Sequence, residues 1–346
     1  MDRPADPKDA RADIFKLKWD RFKAFRDFTD ENYTDYTDIC GHGTNCASLV
    51  LQVAPEVDIY VAKVVALKPS DSKAHKNDLT GVYINPRHVA DALKWAIDHP
   101  DKIDIISMSF GWEGLKPAVQ YQLNRAHSAN ILVLAASSNG GRSTKTLFSY
   151  PAREESVMAI GAARGNYKTD AVFSPPAVWY KPNFLVLGEA VPLYDSKGNP
   201  VPSIKRLSGT SFATPIAAGI AALVLQAIWH PQRYGASPRS CPRLESILRS
   251  AAGMGELFKE MGTTDAKSNE RYFVSPFEFF NVQSHLSKPG TGSEGETSLW
   301  AVAVKISSLL NHRFTVEEPE DEKHSQPKPK PTRRIRGIGR DRKGDE

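Results

Sequence analysis

The chain has 346 residues, 40% of them hydrophobic and 25% charged, with a formal net charge of +5. That is enough apolar material to bury a sizeable core in one large or two modest domains of ordinary globular type. A net charge this small for the length gives no argument for a nucleic acid or a membrane surface as partner. Three cysteines, Cys40, Cys46 and Cys241, do not make a disulfide framework and fit a reducing compartment.

The first eight residues are polar and lack the apolar core of a signal peptide, so the expectation is either a cytoplasmic protein or a start that is not the native one. Residues 1–40 carry scattered aromatics and no strong periodicity. A glycine turn then leads into a predicted helix over 42–53. Residues 57–65 are rich in β-branched side chains and read as a strand. Residues 68–82 are polar, a surface loop. Apolar spacing predicts helices over 87–98 and 116–128, and strands over 103–110, 130–136, 157–161 and 184–187. Residues 211–229 form a segment apolar nearly all round, from Ala213 through Val224, which predicts a buried helix. No run of eighteen apolar residues marks a membrane span. Residues 254–310 are expected to add helix and a strand or two, one over 300–306. From Thr315 onward an acidic run followed by a proline-interrupted basic run predicts a disordered tail. The fold class is α/β, three layers, a mostly parallel sheet with helices on both faces. The expected parts are an incomplete N-terminal segment (1–40), a core domain (41–252), an extension packed on it (253–314) and the tail (315–346).

Three glycine-flanked stretches carry chemistry: Gly41-His42-Gly43-Thr44, Ser138-Asn139-Gly140, and Gly209-Thr210-Ser211-Phe212-Ala213-Thr214-Pro215. Taken singly, each has a plain alternative. His42 and Asn139 are ordinary turn residues, and Ser211 is a helix-capping residue. Taken together they supply a base, an amide donor and a hydroxyl. A serine hydroxyl needs a base to take its proton, and the oxyanion formed by its attack needs fixed hydrogen-bond donors. Ala213 stands where the Gly-x-Ser-x-Gly elbow would require glycine, which excludes that elbow. No His-Glu-x-x-His or paired Cys-x-x-Cys spacing suggests a metal.

The serine block, in this order after His-Gly-Thr, resembles the subtilases, the subtilisin-like serine proteases. The likeness covers roughly residues 40–230. It implies an endopeptidase acting on polypeptides without a cofactor: Ser211 as nucleophile, His42 as general base, and Asn139 as oxyanion donor. It implies substrate pairing along Ser109, Phe110 and Gly111, and no membrane or nucleic-acid partner; the chain is expected to be a monomer. Cys46, four residues after His42, is similar to the proteinase K-type variant with a free cysteine under the histidine; the plain alternative is a small core residue. Asn45 departs from the second histidine many members carry there. A larger departure concerns the family's aspartate, which ends an apolar strand and precedes a glycine. No acid upstream of His42 has that setting. Met1-Asp2 is similar to the apolar-Asp pair just past the aspartate turn, and Phe25 to Asp30 to the segment after it. The expectation is a sheet that lacks its central, acid-bearing strand and keeps an apolar slot in its place. The alternatives to an active enzyme are an inactive peptide-binding pseudoprotease and a truncated fragment.

Overall fold

A computed structural model describes residues 19–30, 38, 40–67, 82–99, 103–141, 148–166, 170–191, 206–233, 242–265, 268–280, 302, 303 and 305–310. The main sheet has six strands in the order β5-β6-β7-β8-β10-β9: β5 (Ile105–Met108), β6 (Leu132–Ala136), β7 (Val157–Ala163), β8 (Asn183–Leu187), β9 (Gly262–Asp265) and β10 (Ser268–Val274). All pairings are parallel except β9 with β10. The segment expected to be an extension thus continues the same sheet, because β10 pairs with β8.

Burial on both faces explains why these strands read as apolar runs rather than alternating ones. Along β6 and β7, Val133, Ala135, Val157 and Ala159 face one core. That core is covered by helices α2 (Pro86–Ile97) and α3 (Pro117–Ser128). Leu132, Leu134, Met158 and Ile160 face the other, covered by α4 (Thr210–Arg233) and α6 (Ala251–Glu260). Between α4 and α6 lies the short α5 (Pro242–Leu248). Helix α1 (His42–Val53) packs against α4 rather than directly on a strand.

α4 is the sequence-predicted buried helix. Among the described residues, its stretch Thr210–Trp229 is long and apolar enough to cross a membrane, but 78% of the apolar window is buried inside the protein. Helix ends follow local chemistry. Asn85 caps α2 by accepting from the Arg87 amide ahead of Pro86, and Ser250 caps α6 by accepting from Gly253.

Some expectations change. The strand foreseen over 57–65 breaks at Val64 into β2 (Ile59–Lys63) and β3 (Val65–Leu67). The latter turns away to pair antiparallel with β4 (Val82–Ile84). The strand foreseen over 300–306 is instead helical at residues 302, 303 and 305–310. Val302, Ile306 and Leu310 pack on the core at intervals of four, the period of a helix face. Residues 22–27, where no element was foreseen, form β1 (Phe22–Asp27), parallel to β2. The charged tail and residues 1–18 lie outside the described residues.

Among the described residues the strands fall into separate sheets beside the site. β1 and β2 form a separate two-stranded sheet, and among the described residues nothing pairs with the second edge of β2 or of β5. A cavity of about 780 Å³ runs between those edges, lined along residues 57–66 on one side and 103–113 on the other.

Candidate active site

His42 is the first residue of α1, and the turn before it is built by an acid. Gly41 adopts the left-handed conformation (φ 73°), and Asp38 reaches across the turn. Its Oδ1 accepts from the Gly41 amide at 2.9 Å, and its Oδ2 accepts from the Thr44 amide and hydroxyl, both at 2.7 Å. Burial pushes the Asp38 carboxyl up, but the bonds from Thr44 and Gly41 contribute to holding it below its usual value. Sequence reasoning missed this residue; an acid three residues before a glycine turn at a helix start was the available signal.

Asp38→Asn keeps one acceptor oxygen and replaces the other with a donor. Urea unfolding is expected to show a loss of about 1–2 kcal/mol. Because the ionised form is favoured in the fold, this contribution is present above the unfolded carboxyl value and disappears as pH falls through the folded one. A variant as stable as the parent at neutral pH would remove Asp38 from the account.

Burial pushes the His42 imidazole below its ordinary pKa, and the nearby Asp38 charge opposes this. At neutral pH the ring is therefore an unprotonated base. Its Nδ1 lies 3.7 Å from Cys46 Sγ, and its ring lies 5.2 Å from that of Phe212. Its Nε2 is buried without a hydrogen-bond partner.

Ser211 is the second residue of α4. Pro215 lies inside the helix, since α4 begins at Thr210. A proline has no amide hydrogen, so the Ser211 carbonyl has no donor at the usual helical position. The Cys46 thiol takes that place, donating to the Ser211 oxygen at 3.5 Å. Cys46 thus touches both the histidine ring and the serine main chain. Burial pushes its thiol up to about 12, so it is neither a thiolate nor a nucleophile near neutrality.

Asn139 follows β6, as foreseen. Its Oδ1 accepts from the Thr210 amide at 2.8 Å and the Thr210 hydroxyl at 3.0 Å. Those two donors decide which end of the amide is oxygen and leave Nδ2 free to donate. Gly209 (φ 156°) shows where Nδ2 points. A Cβ built there would lie 3.0 Å from Ser211 Oγ and 3.3 Å from Asn139 Nδ2, so hydroxyl and amide donor border one spot that only glycine leaves open. Thr210 is the residue whose amide and hydroxyl aim Asn139.

His42, Asn139, Ser211, Ser109, Phe110 and Gly111 all line the same cavity. Among the described residues no hydrogen bond joins Ser211 Oγ to His42, and no carboxylate bonds to the imidazole. Asp27, which ends β1, faces elsewhere: it is fully buried, pairs with Lys63 at 2.9 Å and accepts from Thr29.

The profile of the subtilase family matches residues 16–272, about three quarters of the chain. The chain belongs to the subtilase family. Among subtilases, a thermostable alkaline protease of Halalkalibacterium halodurans is 36% identical over 199 residues, covering 55% of this chain and 48% of that protein. Subtilisin DY of Bacillus licheniformis is 33% identical over 199 residues, covering 55% of this chain and 65% of its own length. The chain therefore spans about half to two thirds of the length of these relatives. A cold-adapted subtilisin-like serine proteinase of known crystal structure shares the fold with a TM-score of 0.52 and 21% identity, over 72% of this chain and 78% of that one. This subtilase thus has the three-layer α/β architecture expected from its pattern of strands and helices, with the sheet interrupted beside the site.

Proposed function

We propose that the protein is a serine endopeptidase that hydrolyses polypeptides through an acyl-enzyme. One observation carries the reading: three side chains from three elements border one cavity, with Asn139 locked by Thr210 so that its donor faces the Ser211 hydroxyl. Ser211 Oγ attacks the scissile carbonyl while His42 takes its proton, and His42 then returns it to the leaving amine. The Asn139 Nδ2 donates to the oxyanion, helped by the amino end of α4, where unbonded amides carry positive partial charge. The tetrahedral intermediate collapses as its C–N bond breaks, which re-forms the carbonyl as the Ser211 ester and releases the protonated amine; water, giving its proton to His42, then attacks the ester, and breakage of the C–Oγ bond releases the acid and restores the hydroxyl.

The substrate backbone would add as a strand along Ser109, Phe110 and Gly111, just past the end of β5. Neighbouring structure has already used the next residue: Trp112 exchanges both main-chain bonds with Tyr150 at 2.7 Å. Gly111 could not be larger, since a Cβ there would meet Ser149 Oγ at 2.6 Å and the Tyr150 carbonyl at 2.8 Å.

The same reading has the protein working as a monomer, away from membranes, in a reducing compartment, which suits the free thiols of Cys40 and Cys46. Incubation with a fluorophosphonate, followed by mass spectrometry of the labelled peptide, tests the chemistry. Modification of Ser211 supports it. A folded protein that stays unmodified supports instead a peptide-binding subtilase without turnover, a reading favoured by the open contact between His42 and Ser211.

The further likeness of Cys46 to the cysteine of proteinase K-type enzymes has its own test. A mercurial on Cys46 would push the ring of His42 aside. It is expected to slow Ser211 labelling about 10²-fold, the cost of an ångström-scale displacement. Cys46→Ala should be insensitive and Cys40→Ala should remain sensitive; the reverse pattern would place the effect at Cys40.

A further inference from the structure

A second cavity, of about 650 Å³, lies between α6 and the amino ends of β7 and β8. Val157, Met158 and Ala159 begin β7, while Lys181 and Pro182 stand just ahead of β8, which runs parallel to it. Asn139 follows the carboxyl end of β6, at the opposite end of the same parallel sheet. The two cavities share no lining residue.

The walls are apolar apart from three charged side chains, Lys181, Glu256 and Lys259. Phe184 forms one wall, and α6 lines another with Ala251, Ala252 and Gly255. The helix stays small on this side: a Cβ on Gly255 would lie 3.3 Å from the Phe184 ring. Ala252 is exposed and marks the mouth. Two of the charges cancel, since Lys259 pairs with Glu256 at 2.7 Å. Lys181 is the exception. It is only 8% exposed, and no carboxylate pairs with it among the described residues. Its ammonium donates to the main-chain carbonyls of Glu154 and Val157. That uses two of its three N–H groups, and the third has no acceptor among the described residues. Burial pushes its pKa down to about 8, and the charges of Glu154 and Glu155 oppose this without cancelling it. A buried ammonium in this state gains from any anion that takes its remaining proton donor.

We infer that this cavity is a binding site for a small organic anion, a single carboxylate on an apolar tail. The carboxylate accepts from the third N–H of Lys181, and the tail lies against Phe184 and the small face of α6. The volume is that of a small-molecule site, about 300–1,000 Å³. A monoanion suits it better than a phosphate. One unused N–H serves one oxygen, and Glu154, Glu155 and Glu256 disfavour a second negative charge.

The probes are octanoate and octanamide, which share a tail and differ in charge, titrated calorimetrically into the full chain at neutral pH. Octanoate is expected to bind about 10–100-fold more tightly, the worth of one hydrogen bond to a charged group. Lys181→Met should erase that preference and leave the two probes equal. It also takes the donor from two carbonyls, so a second variant covers the case in which it fails to fold. Ala252→Trp, at the exposed mouth, should keep the parent Tm and weaken both probes at least about tenfold by filling the entrance. In nuclear Overhauser spectra the octanoate chain should contact the Phe184 ring. No binding of octanoate, equal binding of both probes to the parent, or octanoate binding that Ala252→Trp leaves unchanged would each overturn the proposal.

Discussion

Ser211→Ala is expected to abolish both covalent labelling and peptide hydrolysis while leaving the melting temperature nearly unchanged. The hydroxyl makes no hydrogen bond with the described residues, so its removal costs little structure while it takes away the oxygen that attacks. In subtilisin, where the value is known, losing this serine reduces turnover about 2 × 10⁶-fold, as much as losing its partners together. The parent itself should be slow, because no carboxylate among the described residues orients His42; in subtilisin that deficit alone is about 3 × 10⁴-fold. The pH dependence is set by burial. His42 is held below its ordinary pKa, so labelling should persist at pH values under about 6.5, the ordinary histidine pKa. Stability moves the other way. The unfolded chain protonates this histidine before the folded one does, so the fold loses stability as pH falls below that same value. Labelling that titrates away well above pH 6.5 would show that His42 is not the base.

Gly219→Ala should destabilise the protein, against the usual sign. Alanine in a helix interior is ordinarily better than glycine by about 1 kcal/mol. Here α4 crosses α1 so closely that a Cβ on Gly219 would lie 2.7 Å from Val53 Cβ and 2.9 Å from its Cγ1. The first of those atoms is fixed to the backbone of α1 and cannot rotate away, so the helices must separate. Overpacking of this kind costs about 1–3 kcal/mol. Since α1 begins with His42 and α4 carries Ser211 in its first turn, separation also shifts the base relative to the hydroxyl. A fall of about 10²-fold in labelling rate is expected, alongside a lower urea midpoint. A stabilised variant with unchanged labelling would mean that the crossing is looser than its geometry states.

Periodicity made most of the core legible before any coordinates. Helix α1 runs over 42–53 as read. Helices α2 and α3 start within one residue of expectation, because apolar residues on one face must be buried against the sheet. The short strand β1 was not legible. Its charges at Lys23, Arg26 and Asp27 hide the pattern, and among the described residues β2 alone pairs with it. Asp27 shows the difficulty: an acid ending a strand is the setting sought for a partner to His42, yet this one is committed to Lys63 and Thr29. The helix near 302–310 was misread as a strand because Trp300 to Ile306 is β-branched and alternating, and only packing at every fourth residue settles its period.

Residue order alone determined the family and marked His42, Asn139 and Ser211 as candidates, since these depend on which side chains succeed one another along the chain. Long-range contact decided the rest. Thr210 aims Asn139, the Cys46 thiol supplies the donor that Pro215 withholds from the Ser211 carbonyl, and two strand edges are left facing each other. Each of these joins residues far apart in sequence, where the position of one group is set by the packing of whole helices and strands rather than by its neighbours along the chain.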